Sequence, residues 1–124
     1  MPPSRLTYVA FAKLAKEAER YDEMVGYMDA VVDLSSELSM EEHQLLDEAY
    51  HSAIAGRLQR MYLIMDCQNQ QLDCEKLEDE AAKLCEKILD VLDDKLIPRA
   101  VDELMHDILS ERRKQFERLL WRCA

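Results

Sequence analysis

The sequence predicts an all-α fold, an antiparallel array of five helices in a single domain covering residues 1–124. Only two glycines and three prolines interrupt the 124 residues, too few for the turns that strands and hairpins need. Apolar residues recur three and four apart through most of the chain, the spacing that lines one face of a helix. The stretches between these periodic segments are short, so successive helices run antiparallel. At this length a core closes without disulfides or metal.

Ser4 offers its hydroxyl as the cap of a first helix, about 5–18, with Leu6, Val9, Ala10, the Lys13 stem, Leu14 and Ala18 at helical spacing. A second, about 21–34, places Met24, Val25, Met28, Val31 and Val32 on its buried side and stops in the polar "SSE" stretch. The "SMEE" at 39–42 has the form of a capping box, in which Ser39 accepts from the amide three residues on and Glu42 reaches back. From there Leu46, Tyr50, Ala53, Ile54, Leu58, Met61, Ile64 and Met65 keep the period for roughly 25 residues. Gly56 interrupts this helix at a cost of about 1 kcal/mol relative to alanine, which close packing of a neighbouring backbone would offset.

The polar tract "DCQNQQ", 66–71, reads as the turn into a fourth helix carrying Leu77, Ala81, Leu84, Cys85, Ile88, Leu89 and Leu92. That helix ends before "LIP", because Pro98 disfavours helical geometry at Ile97. A fifth, about 100–122, shows Val101, Leu104, Met105, Ile108, Leu109, Phe116, Leu119, Leu120 and Cys123.

A formal charge of −10 speaks against nucleic acid and anionic membrane as partners, since both require a basic face. The one basic run, "ERRKQFER" at 111–118, reads as a solvated helix face. No stretch approaches the ~18 apolar residues of a membrane span, and no signal segment opens the chain, so the expected location is cytoplasmic. There Cys67, Cys74, Cys85 and Cys123 stay reduced. They include no CxxC, and His43, His51 and His106 are scattered, so no metal site and no cofactor are expected. No nucleophile and base lie at catalytic spacing, which argues against an enzyme.

Three stretches carry a resemblance. "FAKLAKEAERYDEMVGYM", "ELSMEEHQLLDEAY" and "ILDVLDDKLIP" resemble consecutive signature segments of the 14-3-3 family, dimeric all-helical adaptors that bind phosphoserine and phosphothreonine peptides. The likeness covers nearly the whole chain but only the amino-terminal half of a family member. Between Ile64 and Lys76 the chain is shorter by roughly ten residues, about three turns.

The resemblance divides the domain into dimerisation helices, 1–38, and three longer helices, 39–124. It implies a homodimer, or a heterodimer with another 14-3-3-like chain, in which the first two helices of one subunit pack on the fourth of the other. Arg20 then pairs with Glu80 of the partner subunit and Glu23 with Lys76 of the partner subunit, while Leu14 and Ala18 supply apolar contact. Two residues depart from the family there: Asp73 replaces a tyrosine, and Arg60 replaces a small side chain.

The family holds phosphate with a lysine and an arginine on the third helix and an arginine–tyrosine pair on the fifth. In this sequence His51 takes the lysine's place, Leu58 that arginine's and Leu119 the tyrosine's, while Arg118 remains. A phosphate near pH 7 carries nearly two negative charges and is matched best by arginine forks. Two lost charged hydrogen bonds, at ~1.5–3 kcal/mol each, weaken binding by about 10² to 10⁴-fold. Arg57 cannot substitute, because adjacent helical residues point about 100° apart.

The resemblance therefore implies a non-enzymatic adaptor or regulatory module acting mainly through dimerisation, with phosphopeptide binding weakened or lost. The alternative is a functional phosphopeptide adaptor of which this chain is one half, with phosphorylated client proteins as partners. Leu119, Leu120 and Trp121, left bare, invite association.

Overall fold

Ser4 caps the first helix as its position predicts, its Oγ accepting from the Thr7 amide at 3.3 Å, and α1 runs Arg5–Glu17. The structure, a computed structural model, describes residues 4–35, 37–65, 71–100 and 102–123, without the side chains of 62–65, 71–74 and 123. After a tight turn in which Glu19 takes φ 58°, α2 covers Tyr21–Leu34. The capping box then forms in both directions: the Ser39 amide donates to Glu42 Oε1 at 2.8 Å, and the Glu42 amide donates to Ser39 Oγ at 3.2 Å. It opens α3, Met40–Met65, 26 residues and about 39 Å long.

Helix α4 runs Gln71–Val91 and α5 runs Glu103–Cys123. The predicted turn at 66–71 lies outside the described residues except for Gln71, which already belongs to α4. Regular α4 ends at Val91, ahead of "LIP", but the chain widens into a π-helical turn, Leu92–Leu96, and tightens into a 3-10 turn, Ile97–Arg99, and Ile97 keeps helical geometry, φ −62° and ψ −46°, despite the proline after it. Pro98 explains both changes, since it has no amide to donate and its ring crowds the carbonyl four residues back. The fifth helix begins later than 100 because Ala100 is extended, with ψ 115°, and Asp102 Oδ1 caps the Met105 amide at 2.9 Å.

Each helix packs on the next in the chain, so the five form an array with α2, α3 and α4 at its centre. The predicted stripe of α2 is buried in full: Met24, Val25, Met28, Val31 and Val32 meet Leu46, Tyr50, Ala53 and Ile54 of α3 in one cluster. Ala81, Cys85, Ile88 and Leu92 close it from the α4 side, and Leu109 and Phe116 from α5. Helix α1 differs from the expected pattern. Its core contacts are Ala12 and Ala15, with Tyr8 and Val9 beside them, while Leu6 and Leu14 are 81% and 61% exposed.

Polar clamps fix the register of these layers. The Arg5 guanidinium grips Glu42 with Nε at 2.6 Å and Nη2 at 3.0 Å, tying α1 to α3. Burial pushes the Glu42 carboxyl up, but the bonds from Arg5 and Ser39 outweigh it and hold the group below its ordinary range. At the centre, the Tyr50 hydroxyl donates to Asp29 Oδ1 at 2.6 Å, and Lys87 Nζ meets Asp29 Oδ2 at 2.7 Å, so one carboxylate joins α2, α3 and α4.

The close backbone packing expected at Gly56 is absent: a Cβ built there, or at Gly26, meets nothing within 4 Å. Gly26→Ala is therefore expected to raise folding stability by about 0.5–1 kcal/mol, read from the urea midpoint. Tyr50→Phe removes a hydrogen bond to a charged acceptor and should lower stability by about 1–2 kcal/mol in the same titration.

Candidate functional site

The sequence-predicted dimer residues fall on the outer face where the α1–α2 turn, α3 and α4 come together. Leu14 and Ala18 are exposed at the end of α1, and Arg20 and Glu23 follow on the first turn of α2. The Arg20 guanidinium faces Glu23 at 3.5 Å, within one helical turn. Lys76 is exposed on α4, and Glu80, one turn further on, is partly buried.

Glu80 is engaged inside the chain. Arg57 of α3 donates Nε to Glu80 Oε2 at 3.0 Å and turns both terminal nitrogens on Asp22, at 2.7 and 3.0 Å. A further bond reaches the Ala53 carbonyl at 3.1 Å. The Asp22 hydrogen bonds, followed by those to Glu80, hold the Arg57 pKa above its ordinary value. Arg57 thus joins α2, α3 and α4, and borders an open groove of about 300 Å³ together with residues 19–23, Ser52, Gly56 and Arg60.

This hub escaped the sequence reading, which considered Arg57 only as a substitute phosphate ligand. Its partners lie 35 and 23 residues away, beyond the reach of any helical spacing rule. Its orientation agrees with the angular argument, since the guanidinium points to α2 and α4 rather than to α5.

The phosphate positions lie on α3 and α5. His51 is exposed and sets its ring edge against Phe116, with centroids 6.3 Å apart. Leu58 is 8% exposed and belongs to the core. Arg118 is exposed beside a shallow groove of about 310 Å³ that it shares with Lys114, Glu117 and Trp121, and Leu119 is half-buried. Among the described residues no cluster of His, Cys, Asp and Glu could hold a metal ion, and no helix is long and apolar enough to cross a membrane.

The outer faces of this all-helical array carry apolar side chains and ion pairs. The family model described as 14-3-3 protein matches residues 11–109. The chain is 40% identical over 114 residues to a 14-3-3 protein homolog of Candida albicans, covering 81% of this chain and 43% of that protein. It is 37% identical over 113 residues to 14-3-3 protein 3 of Entamoeba histolytica, covering 81% and 47%. With the 14-3-3-like protein GF14 iota of Arabidopsis thaliana it shares 38% over 110 residues, covering 77% and 41%. The chain spans less than half the length of these relatives. It belongs to the 14-3-3 family.

Arg57→Ala removes two ion pairs from a side chain only 16% exposed and leaves Glu80 without its guanidinium. The expected loss is about 1–2 kcal/mol of folding stability by urea titration. Arg57→Lys should restore only part of it, because a single ammonium cannot fork onto both carboxylates.

Proposed function

We propose that this chain is a non-enzymatic, cytoplasmic 14-3-3-type adaptor that acts mainly by dimerising with itself or a similar chain, its phosphopeptide binding weakened or lost. The observation that carries the reading is the second apolar stripe of α1. Leu6, Ala10, Leu14 and Ala18 are all exposed although they recur at helical spacing, and the charges of the α1–α2 turn lie at their end. A stripe of this kind is stable when a partner covers it, each large aliphatic side chain contributing ~1.5–3 kcal/mol on full burial. Arg20 and Glu23 on one side, with Lys76 and Glu80 on the other, supply the register.

The in-chain pairs adjust this picture. Arg20 already has Glu23, and Glu80 already has Arg57, so association exchanges ion pairs rather than creating them. Apolar burial then supplies the affinity, and exposed pairs at ~0–1 kcal/mol each add little. The weak phosphate site is supported by Leu58, buried where the family places a cation, and by His51, an exposed imidazole where the family places a lysine.

One observation favours the second reading, a phosphopeptide adaptor of which this is a part: Arg118 is exposed beside Lys114 on a chain under half the length of its relatives. Calorimetry separates the two. A doubly phosphorylated 14-3-3 consensus peptide should give no phosphate-dependent heat, and a low-micromolar signal abolished by Arg118→Ala would establish the second reading instead.

Dimerisation is tested by light scattering at micromolar concentrations, with a mass twice that of one chain expected. Leu14→Glu changes a side chain that is 61% exposed, so it should leave the helical signal intact while returning a single-chain mass. A wild-type chain that is monomeric throughout refutes the proposal. Because Arg57 holds Glu80, the cleaner charge exchange is Glu23→Lys with Lys76→Glu, in which the double variant should recover association that each single variant loses.

A further inference from the structure

The seam between α3 and α5 holds a charged cluster that neither the dimer surface nor the phosphate positions use. Helix α5 packs along α4 and the turns at 92–99, and it meets α3 through long side chains. Arg112 Nε approaches Asp47 Oδ1 to 3.9 Å, beyond hydrogen-bond length, and Phe116 rests against His51. Between these contacts and the core lies His43, 5% exposed, its Nδ1 buried and without a hydrogen-bond partner among the described residues. It borders a cavity of about 10 Å³, the size of one water molecule, shared with Asp47, Arg112 and the apolar side chains of Leu92 and Phe116.

We propose that His43 is a pH-operated latch on this seam: neutral, it lets α5 close on α3, and protonated, it drives Arg112 and α5 away. The groups facing it decide the sign. From α3 come Glu42 and Asp47, and from α5 comes Arg112, while Ile88 of α4 and Leu92 and Leu96 of the π turn are apolar. Glu42 is occupied by the fork of Arg5 and the Ser39 amide. Its charge still favours a protonated His43, but less than burial and Arg112 oppose it, and Asp47 is shared between Arg112 and the imidazole of His51. A protonated imidazole adds a second cation to a pocket with one available carboxylate, and little water can reach it to screen the excess.

The protonation equilibria agree with this geometry. Burial, and then the Arg112 charge, hold the His43 pKa below its ordinary 6.5. A lowered folded-state value means that the unfolded chain takes the proton more readily. The stabilisation is therefore complete above 6.5 and is lost as pH falls from there toward the folded-state value. Asp47 runs the other way. Burial raises its carboxyl above the ordinary 3.8, so its contribution is complete in stronger acid and fades as pH rises through the folded-state value.

The test uses the whole chain. Between pH 7.5 and 5.5 the folding equilibrium constant of the wild type should fall by up to about tenfold through this one group. His43→Gln, which cannot titrate, should lose that increment, with effects of overall charge cancelling in the comparison. Hydrogen exchange, corrected for intrinsic rates, should show acid deprotecting 103–123 more than 21–34 in the wild type and not in the variant. An equal acid response in His43→Gln, or uniform deprotection, overturns the latch. Should that variant fail to fold, the wild-type imidazole resonance decides: titration below 6.5 supports the proposal and titration at or above it refutes it.

Discussion

A row of helices in which each packs chiefly on its neighbours buries one face of its first member, and α1 carries apolar residues on two. Ala12 and Ala15 are the face taken by the core, small enough to bring α1 close to α2. Leu6 and Leu14, the larger pair, are left outside. Placing the alanines inside and the leucines outside wastes burial in an isolated subunit, since a buried leucine contributes more than a buried alanine. The proposed dimer would give the outer stripe a second surface to meet, and it rests on this arrangement more than on any ion pair.

The same array explains why the clamps run between neighbouring layers. Helices held by side-chain packing alone can slide by a turn at modest cost, whereas a carboxylate shared by two partners fixes the offset. Asp29 does this for α2, α3 and α4 through Tyr50 and Lys87, and Arg57 does it for the same three helices nearer the α1–α2 turn. With the core between them, the two clamps hold α2 and α4 in fixed positions on either side of α3. The proposed partner surface draws on α2 and α4 of different subunits, so the stiffness of each subunit sets how well the two halves match.

Much of this fold was legible because its signals are local. The capping box at 39–42 and the Ser4 cap form as written, and the α2 stripe from Met24 to Val32 is buried in full. Local signals fail where two answers satisfy the same period. On α1, residues 6, 10 and 14 and residues 8, 12 and 15 both read as helical stripes, and only the neighbouring helices choose between them. The π turn at 92–96 was hidden because the rule for proline forbids a regular helix without saying what replaces it. Arg57 and His43 were missed for a different reason. Their roles depend on residues far away in the chain, and nothing in "HQLL" or "AGRL" distinguishes a buried polar side chain from a solvated one.

Charge on the α3–α5 side of the molecule has turned inward. A groove that recruits a phosphate needs cations that are exposed and unclaimed. Here Leu58 contributes none, Arg57 is drawn to the opposite side by Asp22 and Glu80, and Arg112 is three-quarters or more buried beside Asp47. Arg113, next along α5, is shared between Asp93 and Glu117. What stays open is Arg118, with Lys114 beside it 4.0 Å from Glu111, on a chain of net charge −10. A dianion approaching that face meets two cations against a repulsive background field. Arginines spent on joining helices stiffen the array, and each one so used is lost to a ligand; on the proposed reading this chain has moved its positive charge from recognition into structure.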